Sequence, residues 1–226
     1  MNKLEKWSEE LTKEVYNEWK TKYSFWKSGF KIFYSPVRKN PKLLILSLNP
    51  GGTEEHFKKE NLKLFENNNF SVSKNNEYLT TNYTMAKKVR QFFENNLDLL
   101  EESVVLPILF FRSKDYQYWK NNIKKEIRYD MENFSYTKIK EILDYIEPKF
   151  CLIIGFVTYD KIKKHILKID FENTVSKNVK QNGEHRLYIK AKSGNIVLFC
   201  IPHLTGYHIS NEKMNEIRRE FLKTIN

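Results

Sequence analysis

Two short apolar runs in this chain each end in a polar hinge. Residues 43–52 read LLILSLNPGG and close on Asn49, Pro50, Gly51 and Gly52. Residues 196–203 read IVLFCIPH and run on into Leu204, Thr205 and Gly206. In an open parallel sheet, ligands bind where strand ends open into loops, so these hinges are expected to share one cleft. An amide orients a water but takes no proton, whereas an imidazole donates to a departing oxygen. An Asn that holds a water and a His that faces a leaving group form a minimal kit for hydrolysing a base–sugar bond. Plainer readings stand beside these: Asn49 caps the following turn, and His203 is a histidine satisfied within its loop.

The elements that must position these hinges show in the hydrophobic pattern. Leu4, Trp7, Leu11, Val15 and Trp19 recur at helical spacing. FKIFYSPVRKNPK reads as an edge strand and turn, and residues 43–48 as a buried strand stopped by Pro50-Gly51-Gly52. Residues 66–82 are Asn-rich and aperiodic, a long loop of the sort a compact domain keeps for function. Residues 83–97 read as helix, 103–111 as a second buried strand, and most of 116–146 as helix. Residues 150–154 form a third strand closed by Gly155, followed by a helix at 157–168. EHRLYIKAKSGNIVLFCI reads as a hairpin turning at Ser193-Gly194-Asn195, and its second arm, 196–201, is the fourth core strand. The last helix runs from an N-cap at Ser210 to Ile225. Strands alternating with helices predict an α/β single domain, residues 1–226, with a helical extension over about the first 30 residues. Its centre is expected to be a mainly parallel four-stranded sheet flanked by helices.

Composition bounds the partner. Of 226 residues, 40% are hydrophobic and 15% aromatic, enough for one core of that size. The formal charge of +11 arises from 39 Lys and Arg against 28 Asp and Glu, and such an excess points to nucleic acid. A codon bias toward Lys and Asn raises the same count with no partner at all. Cys151 and Cys200 fall in apolar runs and read as reduced core residues of a cytoplasmic protein. Two cysteines are too few for an iron–sulfur cluster or an all-cysteine zinc site. Residues 1–20 are charged rather than a signal peptide, and no apolar run approaches the ~20 residues of a membrane helix. No G-x-G-x-x-G and no P-loop lysine occurs, which argues against a dinucleotide or triphosphate site.

In order along the chain, four segments resemble motifs of the uracil-DNA glycosylase superfamily. LLILSLNPGG resembles its first motif, in the Asn-Pro-Gly variant. Leu109-Phe110-Phe111-Arg112-Ser113 is similar to the end of its second strand, and Glu147-Pro148-Lys149 with FCLIIG to its third. Ile201-Pro202-His203-Leu204-Thr205 resembles its second catalytic motif, usually His-Pro-Ser. The resemblance spans residues 30–222. It implies a glycosylase fold acting on DNA as a monomer, without metal or cofactor, in base-excision repair or in defence against modified phage DNA. Asn49 then handles the water and His203 the leaving base. Pro50, Gly51 and Gly52 approach the sugar and phosphate, and Arg112 joins the substrate-binding set. Thr205, with Leu204 and Gly206, meets the DNA backbone, and Tyr207 stands where the family inserts a wedge into the duplex.

Further assignments are made from residue type. Glu54, Glu55 and His56 follow the first hinge, and Glu55 is the candidate base for the water; a solvated helix start explains the same glutamates. Phe57, Phe70 and Phe111 are candidates to stack on an extruded base, with core packing as their plain reading. Two departures stand out. Pro107 occupies the stretch where uracil-specific branches place an amide reader, and Leu204 replaces the usual Pro. Both imply an altered pocket suited to a modified or bulky base, or lost catalysis. Two other readings remain: a non-catalytic DNA-binding or regulatory module on the same fold, and a metal-dependent nuclease built on Asp130 and the Glu147-Pro148-Lys149 run.

Overall fold

The computed structural model of the chain describes residues 2–179, 183–206 and 209–225, with side chains except at 177–179 and 183–185. The apolar runs form strands β1 (Leu44–Ser47), β2 (Val104–Pro107), β3 (Phe150–Ile154) and, later, β6 (Ile196–Ile201). They lie parallel in the order β2-β1-β3-β6. Such strands read as continuous apolar runs because both faces are covered. Alternate residues divide between two cores. Leu44, Leu46, Cys151, Ile153, Leu198 and Cys200 face one core. Leu43, Ile45, Leu152, Ile154, Phe199 and Ile201 face the other.

The sheet is larger than expected. It has six strands and is mixed, because β4 (Phe171–Val179) and β5 (Gly183–Ser193) extend it as antiparallel neighbours beyond β6. The β5–β6 hairpin turns at Gly194, whose φ of 54° suits a tight turn. β4 carries no burial pattern: residues 171–174 are exposed, so pairing with β5 rather than packing makes it a strand.

The helices cover both faces. Helix α1 (Lys3–Glu18) starts with a capping box between Asn2 and Glu5. It continues through a π-helical turn, Trp19–Tyr23. Leu11, Val15, Tyr16 and Trp19 lie in the same core as Leu44, so this segment is part of the main body rather than an appendage. After β1 come α2 (Glu54–Phe57), a π-helical turn (Lys58–Leu62) and α3 (Lys63–Glu66). The expected Asn-rich loop contains α4 (Glu77–Thr80), and the expected helix at 83–97 divides into α5 (Thr84–Phe93) and α6 (Leu97–Glu101). Beyond β2 stand α7 (Tyr116–Asn122), α8 (Lys125–Ile146), α9 (Phe156–His165) after β3, and the last helix α10 (Asn211–Ile225). Residues of α1, α8 and α9 fill the first core, and those of α5 and α10 the second.

The edge strand expected around residue 30 is only a bridge, Phe30 to Phe111. Just before it, Gly29 has φ +65° and lies against the Phe57 ring, so an added Cβ would come within 2.3 Å of that ring. We expect Gly29→Ala to destabilise the fold by about 3 kcal/mol, combining overpacking with the left-handed backbone. A thermal melt should show it as a fall of roughly 6–12 °C. An unshifted melt would mean that the Phe57 ring moves freely.

Candidate active site

Strands β1, β3 and β6 open at their C-terminal ends into a single cleft of about 570 Å³. Three loops build its floor. Asn49 and Gly51 follow β1, Gly155 follows β3, and His203 and Thr205 follow β6; all five line the cleft. The two hinges thus lie at one site, as their position after parallel strands predicts.

Asn49 is half-buried, and its amide nitrogen donates to Pro50 O at 3.1 Å and to Ser113 O at 3.3 Å. Both amide hydrogens are therefore engaged with the loop walls. Among the described residues no donor is paired with Oδ1, which is left as an acceptor. An acceptor held in this way can take one hydrogen of a water and so set the direction of its lone pair.

His203 lies against Gly155, whose φ is +98°. A Cβ there would sit 3.5 Å from His203 Cδ2 and 3.3 Å from Thr158 Oγ1, so glycine leaves room for the ring. The Thr205 amide donates to Nδ1 at 3.4 Å, and Thr205 Oγ1 lies 3.1 Å from the same atom. An Nδ1 that accepts leaves the proton on Nε2, so the neutral ring presents an Nε2–H donor. Burial holds the ring below its ordinary value of 6.5 and keeps it neutral near pH 7. The Thr205 hydroxyl therefore stands beside the imidazole.

A stability consequence follows from this burial. The native ring resists protonation where the unfolded chain accepts it, so the unfolded state binds more protons and stability falls as pH drops below 6.5. We expect the intact protein to lose more stability than His203→Gln between about pH 7.5 and about pH 5.5. Parallel losses in denaturant titrations would place His203 in open solvent instead.

The first turn of α9 also faces the cleft, through Phe156, Val157 and Thr158. No side chain caps that helix, so its amides and dipole favour negative charge in the cleft. In sequence Gly155 reads as the end of a strand, and its place directly before a helix start is the signal of this second role.

The aromatic wall differs from expectation. Phe57, Phe70 and Phe111 are 1%, 7% and 1% exposed and pack inside the first core, away from the cleft. Tyrosines line it instead. Tyr34 stacks on Tyr78 at 5.9 Å, and Tyr83 meets Tyr78 edge-on at 6.2 Å. Phenylalanine has no polar atom to leave in a wet cleft, whereas tyrosine places its ring in apolar surroundings and its hydroxyl at the opening. Burial raises the phenols of Tyr34 and Tyr78, the latter to about 12, so both remain neutral hydrogen-bonding groups. Tyr78 comes from the Asn-rich stretch, where no periodicity marked it.

Other expected residues lie elsewhere. Glu55 is exposed on the first turn of α2 and is not part of the cleft wall; Asp115 is the carboxylate on that wall. Asp115 also caps α7, with Oδ1 accepting from the Tyr118 amide at 2.6 Å. Arg112 is 3% exposed and lies under the first hinge. Its Nη2 donates to Glu60 at 2.5 Å and to Asn61 at 3.0 Å, while Nη1 reaches Gly51 O at 3.4 Å. It ties residues 49–52 to the π-helical turn and does not face the cleft. Gly52, at φ +123°, passes so close that a Cβ would stand 2.8 Å from Nη1. Pro50 is buried, and its carbonyl accepts from the Ser113 amide at 2.9 Å. Leu204 is 7% exposed and belongs to the second core, so it offers DNA no contact; Gly206 is exposed beside His203. Tyr207 lies outside the described residues. Pro107 ends β2 opposite Ser47, buried and off the cleft wall.

No protein-family model and no curated protein sequence matches the chain. Among the described residues, no helix is long and apolar enough to cross a membrane, and no group of three His, Cys, Asp or Glu is placed to hold a metal.

Proposed function

We propose that the chain is a DNA glycosylase that hydrolyses the bond between an extruded base and its sugar. The observation that carries this reading is the shared cleft: an asparagine with a free acceptor and a histidine with an Nε2–H donor, at the ends of two parallel strands. The C–N bond breaks with its electron pair leaving on the base, and positive charge develops on the sugar. The Nε2–H of His203 donates to the base oxygen where negative charge collects. The water held by Asn49 Oδ1 adds its oxygen to the anomeric carbon, and its proton passes to Asp115 or to bulk water. The uncapped start of α9 favours the anionic phosphate that accompanies the nucleotide.

Tyr83, 40% exposed beside the buried Tyr34–Tyr78 pair, supplies a ring for stacking, and the cleft is large enough for a nucleotide with a bulky or modified base. The +11 charge of the chain suits a polyanionic substrate. The nuclease reading gains no support. Glu147 stands in the left-handed cap after α8, ahead of β3 and so at the end of the sheet opposite the cleft, paired with Lys39 at 3.2 Å.

Oligonucleotides carrying different bases, incubated with the protein and then treated with alkali, test the reading directly. Strand breaks at one modified base, formed about 10²- to 10³-fold more slowly by His203→Ala, are the expected result. Intact strands across a broad panel of bases would favour the binding-module reading over catalysis.

A further inference from the structure

Most hydroxyl groups on the cleft wall are engaged by the protein itself. Ser113 Oγ donates to Asp115 O at 2.7 Å, and Thr158 Oγ1 donates to Ile154 O at 2.8 Å. Thr205 Oγ1 stands beside His203 Nδ1, and Ser47 hydrogen-bonds the Tyr78 phenol. The Tyr83 and Tyr116 hydroxyls meet Thr81 and the Lys161 ammonium. Tyr34 lines the same cleft, and among the described residues its Oη has no hydrogen-bond partner. Nor is it sealed from solvent: the sealed, unpaired side-chain atoms among the described residues are Arg112 Nε and Arg218 Nε. The Tyr34 oxygen therefore opens into the cleft.

The ring that carries this oxygen is fixed. Tyr34 is 8% exposed, stacks on Tyr78 at 5.9 Å, and has Lys31 Nζ 4.6 Å from its centroid. Lys31 is held in turn by Glu77 at 2.5 Å. The backbone is pinned as well. Tyr34 N donates to Val105 O at 2.9 Å, and Tyr34 O accepts from the Glu77 amide at 2.7 Å. A clamped side chain gives up little freedom when a ligand arrives, so its hydroxyl is ready to bind. Tyr34 lies beside β2, whereas His203 follows β6, on opposite sides of the parallel block β2-β1-β3-β6. One ligand in the cleft thus meets these two side chains at different parts of its rim.

Their demands on that ligand differ. The neutral His203 ring offers an Nε2–H and requires an oxygen. A phenol donates once and accepts twice, and its hydrogen turns to suit the partner. Burial keeps the Tyr34 phenol protonated by raising it above its ordinary value of 10.0.

We propose that Tyr34 reads the edge of the extruded base, and that the substrate class is a pyrimidine bearing either an amino or a carbonyl group at that edge. Cytosine-type and uracil-type bases differ there, N4–H₂ against O4, and share the ring carbonyl that His203 meets. A fixed hydrogen-bonding group would reject one of the two by about 10⁴-fold. A single rotating hydroxyl makes no such choice. Adenine-type bases carry no carbonyl for His203 and are disfavoured. This inference rests on the reading of a base held in the cleft and names the class of that base.

The test is direct binding, which requires no excision. The full-length protein, labelled with carbon-13 at tyrosine Cζ, is titrated with deoxycytidine, deoxyuridine and deoxyadenosine. The Tyr34 signal is identified by its loss in Tyr34→Phe. Both pyrimidine nucleosides should move that signal, with affinities within about 10-fold of each other, and deoxyadenosine should bind about 10-fold or more weakly. Tyr34→Phe should weaken both pyrimidines alike, by about 5-fold, and leave the thermal melt unchanged, since the hydroxyl holds no protein group. A preference above about 100-fold between the two pyrimidines overturns the proposal, as does undiminished binding by Tyr34→Phe. If no nucleoside perturbs any cleft tyrosine, the reader falls, and the alkali assay alone decides the glycosylase reading. If both pyrimidines bind through Tyr34 but no base is excised from DNA, the glycosylase reading falls and the reader stands.

Discussion

His203→Ala should lower the single-turnover excision rate by about 10²- to 10³-fold, the range for removing one donor aimed at a developing anion. The effect should appear in the chemical step. The ring's Nδ1 is engaged by Thr205, and its other face lies on Gly155, so the remaining function is at Nε2. A donor that matters only when charge develops changes the rate and leaves ground-state binding nearly untouched. On the proposed reading, DNA affinity of the variant should therefore stay within about threefold of the intact protein, since phosphate contacts generally supply most of such binding. Thr205→Val provides a contrast. It removes the hydroxyl beside Nδ1 and loosens the tautomer while keeping the imidazole, so a smaller loss is expected, of about 10-fold. If His203→Ala instead weakens binding and spares the chemical step, the histidine holds substrate and does not assist departure of the base.

The strands and the two hinges were legible because their signals are local and strong. Leu43 to Leu46 are fully buried, and so are Leu198 to Ile201, so continuous apolar runs were the direct imprint of two covered faces. A turn residue after each run then located Asn49 and His203. β4 left no such imprint, because residues 171–174 are exposed and pair with β5 without an apolar face to bury. The cleft wall was hidden for a related reason. Tyr34, Tyr78 and Tyr83 come from irregular segments and a four-residue helix, where no period identifies a facing side. With sixteen Phe in the chain, type alone selected buried rings; preferring tyrosine for a wet wall would have been the better physical criterion. Glu55 followed the hinge in sequence, yet its place on α2 turns it to solvent, while Asp115 reaches the cleft from the loop after β2. The register by which β4 and β5 extend the sheet depends on pairing partners, which hydrophobic pattern does not record.

Asn49→Ala and Asn49→Asp should both lower the single-turnover rate by about 10²-fold or more, the scale of losing an oriented reactant. The aspartate variant is the informative one. A carboxylate accepts a proton, which an amide never does, and general-base help is commonly worth about 10²- to 10⁴-fold. On chemistry alone the replacement should accelerate the reaction. The local geometry opposes this. The Asn49 amide nitrogen donates to Pro50 O and to Ser113 O, and a carboxylate has no hydrogen for either. Two carbonyl oxygens would then face an anion, and the side chain must turn away or the loop must part from residues 113–115. Two hydrogen bonds are lost, at about 1 kcal/mol each, so the aspartate variant should also unfold about 2 kcal/mol more easily. That loss should shrink as pH falls toward about 4 and change little below it, because the facing carbonyls raise the folded carboxyl above its unfolded value and its protonated form regains one donor. Ser113 directly precedes the stretch carrying Asp115, so parting the loops also displaces the carboxylate that lines the cleft. The joint outcome is a slower and less stable enzyme despite the added base. An Asn49→Asp protein that excises faster than the intact one would show that proton removal, not water orientation, limits the reaction, and would remove Asn49 Oδ1 from the mechanism.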